Sequence, residues 1–401
     1  MLLILIKGKL IHTDNILPIL AALRKAKFNK NITLIYPSKH DLSTIQSNKE
    51  LYITLQKLAV IKNFYVSNDL KNKIPYFLAR VISVIHRNII MLPLLFKKII
   101  VLRIENIPKI NWIIYLNKKI HGGKEVALFL HPYTYEYYQI FLKRVLQIHG
   151  TNVRPYIKVF NKKNDLVISS YSKSELVNIN EEIIKKSTNV FHIGSILNWP
   201  SWKKLIEYES KNAISKLPKK FIFYPLSILQ RVDLVDNNNK FSVVDSFMKI
   251  IKTIRECDKD IYIIFRPHPT SDMQQLYNLL DSAKLKNYKI SYINPSILID
   301  KCLFVVTHTI STLDIRIWEA RKFLIRFLYP RLSIFIKEEV MATRKFQKEY
   351  NFVNVFKISD LKNKISSGLL NQNNNIINNN EQNKLKEKKI IKKLLKVLNN
   401  L

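Results

Sequence analysis

IYIIFRPHPTSD, residues 261–272, places a run of apolar and aromatic residues directly before the RPHP tetrapeptide at 266–269. A short apolar run of this kind predicts a buried β-strand that ends at the arginine. Thr270, Ser271 and Asp272 follow at once, and residues of these types cap the N-terminus of a helix. The stretch therefore predicts a strand, a proline-stiffened turn and a helix, which is the repeating unit of a parallel α/β sheet.

The same alternation of apolar runs and helical patterns continues on both sides of this stretch. Runs that are apolar throughout predict strands buried on both faces, as in parallel sheets covered by helices. Between two such runs, SVVDSFMKIIKTIREC (242–257) carries apolar residues at helical spacing. The predicted strands are LLILI (2–6), ITLIY (32–36), NFYVS (63–67), IIVLRI (99–104), WIIYL (112–116), DLVISS (165–170), NVFHI (189–193), FIFYPL (221–226), YIIFRPH (262–268), KISYIN (289–294), LFVVTH (303–308) and FLIRF (323–327).

The length of the chain, 401 residues, exceeds that of one ordinary domain. The first series of strands closes at NWPSW (198–202), and a new series begins after a lysine-rich helix. We therefore predict two doubly wound α/β domains at residues 1–205 and 206–367. Residues 368–401 are predicted to form an Asn-rich linker followed by a basic amphipathic helix.

The formal net charge is +36, from 66 Lys and Arg against 30 Asp and Glu. Such a charge is typical of proteins that meet nucleic acid, an anionic membrane face or nucleotide phosphates. Codon bias toward Lys, Asn and Ile is the alternative explanation. Cys257 and Cys302 have no ligand-like spacing, which favours a reduced, cytoplasmic compartment over a disulfide framework or zinc site. The nearest approach to a membrane-spanning segment is 77–102, which basic residues interrupt.

Two strand ends in the second half carry candidate site residues. In an open parallel sheet, ligands bind beyond the carboxyl ends of the strands, where the next helix offers backbone N–H groups. RPHP has this layout, with His268 at the strand end and Pro269 stiffening the turn. LFVVTHTIST repeats it, and Ser311 and Thr312 open the next helix. Ordinary helix capping is the alternative for the hydroxyl residues.

In the first half, His121-Gly122-Gly123 follows the predicted strand WIIYL. A neutral imidazole at a strand end can act as a general base, although a turn histidine beside flexible glycines fits equally well. Gly194-Ser195 ends the last predicted strand before the domain boundary. Asp258-Lys259-Asp260 is the only Asp-x-Asp and is predicted to be a solvated loop, so no metal site is indicated. No Gly-x-Gly-x-x-Gly, Walker loop or nucleophile elbow occurs.

These motifs together resemble those of bacterial surface-polysaccharide glycosyltransferases of GT-B type. Teichoic-acid-type glycerophosphotransferases resemble the chain at His121-Gly122, at RPHP and at Ser311-Thr312. Capsule and lipooligosaccharide sialyltransferases share a His-Pro motif and a Ser-Ser/Thr motif that hold CMP, and His268-Pro269 and Ser311-Thr312 match these. Their acidic motif, which supplies the base, has no counterpart in the first half, so His121 is the base candidate.

The resemblance implies two Rossmann-like domains facing across a cleft, with the acceptor in residues 1–205 and the nucleotide sugar in 206–367. It implies an inverting, metal-independent glycosyltransferase without a cofactor. Its donor would be nucleotide-activated, CMP being one candidate carrier, and its acceptor a glycan or lipid-linked glycan of capsule or lipopolysaccharide. His121 would be the base, and the donor-binding residues would be Arg266, His268, Pro269, Ser311, Thr312, Gly194 and Ser195.

We expect a cytoplasmic protein held peripherally at the anionic inner face of the membrane by its basic surface and by helices at 77–102 and 384–401. The apolar stripe of the second helix could instead pack on the protein. Transfer of glycerol phosphate or a similar phosphoalcohol is the alternative activity. A non-enzymatic nucleic-acid-binding protein is the alternative of another class, but no binding module is evident, and we expect no nucleic-acid partner.

Overall fold

Two parallel β-sheets organise the chain in the computed structural model. The chain divides into two units between Leu205 and Ile206. The first unit precedes this division and also includes residues 380–400, and the second unit follows the division. The structure describes residues 1–6, 10–36, 42–43, 45–46, 49–63, 75–103, 110–130, 166–170, 190–194, 196–197, 199–226, 232–236, 239–268, 271–308, 313–328, 351–370 and 380–400.

The first unit contains a seven-stranded sheet in the order β3-β2-β1-β4-β5-β6-β7, with every neighbouring pair parallel. The order reverses between β1 and β4, which lie side by side although two strands separate them in the chain. The central strands are fully buried, as their apolar sequences predict. The strands are β1 (Leu2–Leu5), β2 (Ile32–Tyr36), β3 (Val60–Asn63), β4 (Ile100–Arg103), β5 (Lys124–Phe129), β6 (Leu166–Ser169) and β7 (Val190–His192).

Helices alternate with these strands, as a doubly wound sheet requires. A 3₁₀ helix at Leu92–Phe96 continues directly from the third α-helix. In the described residues up to the start of the second sheet, the α-helices are α1 (Leu10–Lys25), α2 (Lys49–Leu58), α3 (Tyr76–Met91), α4 (Asn111–His121), α5 (Pro200–Glu209) and α6 (Lys211–Ile214).

The second unit contains a six-stranded parallel sheet in the order β12-β11-β8-β13-β14-β15. An antiparallel hairpin of β9 and β10 is inserted directly after β8. The strands are β8 (Phe221–Pro225), β9 (Val232–Asp236), β10 (Asn239–Ser242), β11 (Tyr262–Arg266), β12 (Tyr288–Ile290), β13 (Val305–Thr307), β14 (Leu324–Phe327) and β15 (Phe352–Val355). The helices are α7 (Val243–Cys257), α8 (Met273–Ser282), α9 (Pro295–Lys301), α10 (Leu313–Glu319) and α11 (Ile358–Leu370).

The core of the second unit forms where α7 covers β8 and β11. Phe247 of α7 lies 5.7 Å from the ring of Tyr224 and 5.7 Å from the ring of Phe265. Ile250 and Ile254 extend the same buried face of the helix, in agreement with the spacing predicted from the sequence. The prediction of two doubly wound α/β domains is therefore confirmed.

One strand prediction in the first half is wrong, and another lies almost entirely outside the described residues. WIIYL lies within α4, because Ile110, Ile113, Ile114 and Asn117 are buried at helical spacing while Tyr115 is exposed. For NFYVS, the observed strand is β3, which ends at Asn63, and residues 64–67 lie outside the described range. β5, β15 and the β9–β10 hairpin were not predicted from the sequence.

The last helix, α12 (Asn380–Asn400), packs on the first unit. Its apolar stripe is buried through Ile391, Leu394 and Leu398. Glu387 accepts a 3.0 Å hydrogen bond from the backbone N–H of Ser201, in the first turn of α5, where a helix has N–H groups without partners of its own. The expectation that this stripe enters a membrane is therefore wrong, and the alternative, packing on the protein, is observed.

Candidate functional site

The second sheet reverses its strand order at β8, which lies between β11 and β13. Arg266 pairs with Pro225, and the pairing of Val305 with Phe223 places Thr307 level with Pro225. Adjacent strands are about 4.8 Å apart, so the ends of β11 and β13 lie roughly 10 Å apart on either side of β8. Ligands of open α/β sheets bind at such a reversal, beyond the carboxyl ends of the strands.

His268 lies in the turn that follows β11, and its carbonyl accepts a 2.9 Å hydrogen bond from the N–H of Ser271. The side chain reaches solvent, yet the protein on its other side desolvates the ring and, together with the charge of Arg266, lowers the pKa of His268. A neutral imidazole donates or accepts a hydrogen bond but carries no charge. The positive charge at this strand end is therefore that of Arg266. Pro269 lies outside the described residues.

Asp272 caps α8, as the sequence predicted for Ser271 or Asp272. Its carboxylate accepts hydrogen bonds from the N–H groups of Gln274 at 2.9 Å and Gln275 at 3.2 Å. The backbone donors that were predicted to bind a ligand phosphate are thus already used by the protein. An anion at this corner would depend on the side chains of Arg266 and His268 instead.

The end of β13 is fixed by a buried pair that the sequence did not predict. The hydroxyl of Tyr224 on β8 and Nδ1 of His308 lie 2.7 Å apart, and the two rings meet edge to face. Burial lowers the pKa of His308 to about 3 and raises that of Tyr224, so both groups are uncharged at neutral pH. The pair holds together the two strands at the reversal. Ser311 and Thr312, which follow, lie outside the described residues.

A buried ion pair anchors α10, the helix after this strand end. Arg326 of β14 donates to Asp314 over 2.6 Å, and both side chains are 0 % exposed. A second donor of Arg326 reaches the Asn354 side-chain oxygen at 3.0 Å, and the Phe352 ring lies beneath the guanidinium. The first turn of α10 is thereby fixed to β14 and β15. The sequence signal was Arg326 inside the apolar run FLIRF.

His121 does not lie at the carboxyl end of a strand, contrary to the sequence prediction. It is the last residue of α4, and its Nε2 lies 2.5 Å from the carbonyl oxygen of Leu95. The next strand, β5, begins three residues later, so His121 is at the amino edge of the first sheet. Its ring is bound to the backbone at the edge opposite to that used for ligands. The predicted strand-end position of His121 is therefore wrong, and this position does not support its assignment as a base.

Gly122 and Gly123 have structural roles in this turn. Gly122 has φ +63° and ends α4 in the left-handed conformation that glycine adopts without strain. A Cβ on Gly123 would lie 2.4 Å from Oδ1 of Asn117. That buried amide donates to the carbonyls of Leu94 and Lys97, tying α4 to the 3₁₀ helix. The glycines thus form a helix end. This agrees with the alternative prediction of a turn histidine beside flexible glycines.

No protein-family model matches the chain, and no curated protein matches its sequence. Solved structures do match its fold. The UDP-GlcNAc 2-epimerase of Methanocaldococcus jannaschii aligns over 100 % of both chains with a TM-score of 0.59 and 15 % identity. Os79 from O. sativa, solved in complex with UDP, aligns over 98 % of this chain and 95 % of its own with a TM-score of 0.53 and 10 % identity.

The chain has the GT-B fold. Its two parallel-sheet α/β units match those of the solved structures over nearly the full length. Within this fold, Gly194 follows β7 with φ +66°, at the carboxyl edge of the first sheet. Ser195 lies outside the described residues.

Asp258 stabilises a local turn of the GT-B fold. Its carboxylate accepts from the N–H groups of Asp260 at 2.8 Å and Ile261 at 2.9 Å, which forms the turn between α7 and β11. The turn lies at the amino edge of the second sheet. In the described ranges, no three His, Cys, Asp or Glu side chains converge in a way that could hold a metal ion.

Proposed function

We propose that the protein is a glycosyltransferase that moves a sugar from a nucleotide-activated donor to a bacterial surface glycan. The observation that carries the proposal is the reversal of strand order at β8. Arg266 and His268 lie at the end of the strand on one side of β8, and Thr307 and His308 lie at the end of the strand on the other side. The similarity to a UDP-GlcNAc 2-epimerase and to a UDP-bound protein supports a nucleotide-sugar ligand at such a corner.

The donor phosphates would meet the charge of Arg266 and a hydrogen bond from neutral His268. Negative charge develops on the departing phosphate in the transition state, and fixed donors there lower the barrier. We propose an inverting reaction without a metal, with Pro269, Ser311 and Thr312 completing the donor side. The donor-binding role that the resemblance implies for Gly194 and Ser195 stays a prediction. CMP and UDP are both candidate carriers.

The acceptor would be a glycan or lipid-linked glycan of capsule or lipopolysaccharide. Lipid-linked acceptors lie at the cytoplasmic membrane, and the net charge of +36 favours its anionic inner face. We therefore place the protein in the cytoplasm, bound peripherally to that surface.

Ligand-induced stabilisation tests the proposal directly. A ligand that binds the native state raises the melting temperature, by an increment that grows with its concentration over Kd. CMP, CDP, UDP, GDP and their sugars are compared with and without EDTA, and we expect one nucleotide family to stabilise the protein in both conditions. A panel without any shift would contradict the proposal. Product analysis with UDP-GlcNAc and no acceptor separates transfer from 2-epimerisation.

Replacing His268 by Ala is expected to weaken donor binding. A hydrogen bond to a charged group contributes about 1.5–3 kcal/mol, which corresponds to a roughly 10- to 100-fold loss of affinity. The fold should be retained, because the side chain reaches solvent. Isothermal titration with the stabilising nucleotide measures the loss, and Asn278→Ala on the exposed face of α8 is the control. Equal affinities for the two variants would remove His268 from the site.

Two other functions have specific support. The RPHP and Ser311-Thr312 motifs also fit transfer of a phosphoalcohol, for which CDP-glycerol in the ligand panel is the test. The net charge also fits nucleic-acid binding, which would appear as salt-sensitive retention on DNA or RNA without nucleotide-sugar stabilisation.

A further inference from the structure

An apolar surface is exposed along α3 and the 3₁₀ helix that follows it. Phe77 is 72 % exposed, Ile89 61 % and Phe96 78 %, values unusual for large apolar side chains in water. The exposed large apolar side chains that the structure describes on this segment, called here the α3 surface, are Phe77, Leu78, Val81, Val84, Ile85, Ile89, Leu92 and Phe96.

The members of the α3 surface share one side of the segment. Phe77, Val81, Ile85, Ile89 and Leu92 succeed one another at steps of three or four residues, which is the spacing of neighbours on one helical face. Ala79, Met91 and Leu94 are buried instead. The segment is therefore amphipathic with respect to the protein, with one side packed and the other apolar and open.

The charges in the stretch of sequence that carries this surface are of one sign. Residues 70–104 contain no Asp or Glu, whereas Arg80 and Arg87 lie on α3 and Lys97 and Lys98 follow the 3₁₀ helix. The neighbouring α4, bonded to the 3₁₀ helix through Asn117, exposes further aromatic and basic residues. These are Trp112, Tyr115 and Lys119.

We propose that the α3 surface inserts into the headgroup region of an anionic bilayer. Apolar side chains rimmed by Lys and Arg fit a negatively charged lipid surface, and Trp and Tyr are enriched where a membrane meets water. The inference rests on the membrane placement in the proposed function, and it assigns that placement to α3 instead of α12, whose stripe is buried.

The segment lies in the plane of the membrane surface and does not span it. Phe77–Phe96 is long and apolar enough to cross a bilayer, and only 17 % of its most apolar stretch is buried. Its 3₁₀ part is nevertheless hydrogen-bonded to α4 through Asn117 and His121. A spanning orientation would place these hydrogen bonds within the lipid. In-plane insertion keeps them on the protein side.

Vesicle sedimentation tests the inference with three full-length proteins. The wild type should sediment with phosphatidylglycerol-containing vesicles, less at high salt, and should not sediment with phosphatidylcholine vesicles. The triple variant Phe77→Ser, Ile85→Ser, Ile89→Ser should bind about 10-fold or more weakly, since buried apolar area drives insertion. The control Tyr277→Ser, Ile358→Ser, Leu370→Ser removes exposed apolar residues of the second unit and should bind like the wild type.

Two outcomes would overturn the inference. In the first, the triple variant binds anionic vesicles as tightly as the wild type. In the second, the wild type does not bind anionic vesicles and forms a dimer that the triple variant does not form. Resistance of the bound protein to alkaline carbonate would contradict the in-plane orientation. Nucleotide stabilisation of the wild type and the triple variant is measured without lipid. Failure of membrane binding is therefore distinguishable from failure of the proposed transferase function.

Discussion

His131→Ala is expected to lower turnover by about 10²-fold or more, the usual loss when a general base is removed. His131 follows the last residue of β5 by two positions in the sequence, and β5 lies between β4 and β6 in the first sheet. Ligands of open α/β sheets bind beyond the carboxyl ends of the strands, so a histidine at this sequence position is a candidate site residue. His131 itself lies outside the described residues. We propose it as the base that activates the acceptor hydroxyl, in place of His121.

His121→Ala provides the matched control. Loss of its hydrogen bond to Leu95 removes about 1 kcal/mol of stability, while the turnover of the folded enzyme should stay near that of the wild type. Steady-state rates at saturating donor are compared for the two variants. A slow His121→Ala enzyme beside a normal His131→Ala enzyme would restore the original assignment. Normal rates for both would place the base on another residue.

Arg326→Met is expected to destabilise the second unit by about 3–5 kcal/mol, since it leaves the carboxylate of Asp314 buried without its cation. This is a large part of the stability of a domain. The double variant Asp314→Leu, Arg326→Met should regain most of the loss, because neither charge then remains in the core. Peptide-resolved hydrogen exchange over β13 and β14 in increasing urea measures the change.

Lys362→Met is the control for this experiment. It breaks an ion pair with Glu256 whose side chains are 52 % and 42 % exposed, and such surface pairs contribute about 0–1 kcal/mol. Equal exchange rates in the Arg326→Met and Lys362→Met proteins would show that the buried pair does not anchor α10.

Strands buried on both faces were the most predictable part of the fold. Runs such as FIFYP and YIIFR are apolar because helices cover both sides of the sheet, so the sequence alone defines them. WIIYL has the same composition but belongs to a helix. It was mistaken for a strand because an apolar run of this length is compatible with both helical and strand periodicity. β5 was missed because it begins with two charged residues, Lys124 and Glu125. In the sheet, Glu125 forms an ion pair with Arg103 of the adjacent strand at 2.6 Å.

The candidate site was predictable only where it follows from a single strand end. Arg266 and His268 were located by the rule that ligands meet the carboxyl ends of parallel strands. The Tyr224–His308 pair was not, because it depends on β8 lying beside β13, a neighbourhood that no local pattern encodes. The Asp314–Arg326 pair likewise needs α10 to lie over β14.

The burial of α12 on the first unit determines the order in which the chain can finish folding. All strands of the second unit precede α12 in the chain, so that unit can form during synthesis as soon as they leave the ribosome. The first unit begins earlier, but its hydrogen bond from Ser201 to Glu387 and the burial of Leu394 and Leu398 require α12 to be made. The unit whose strands are translated first is thus expected to complete its packing after the second unit.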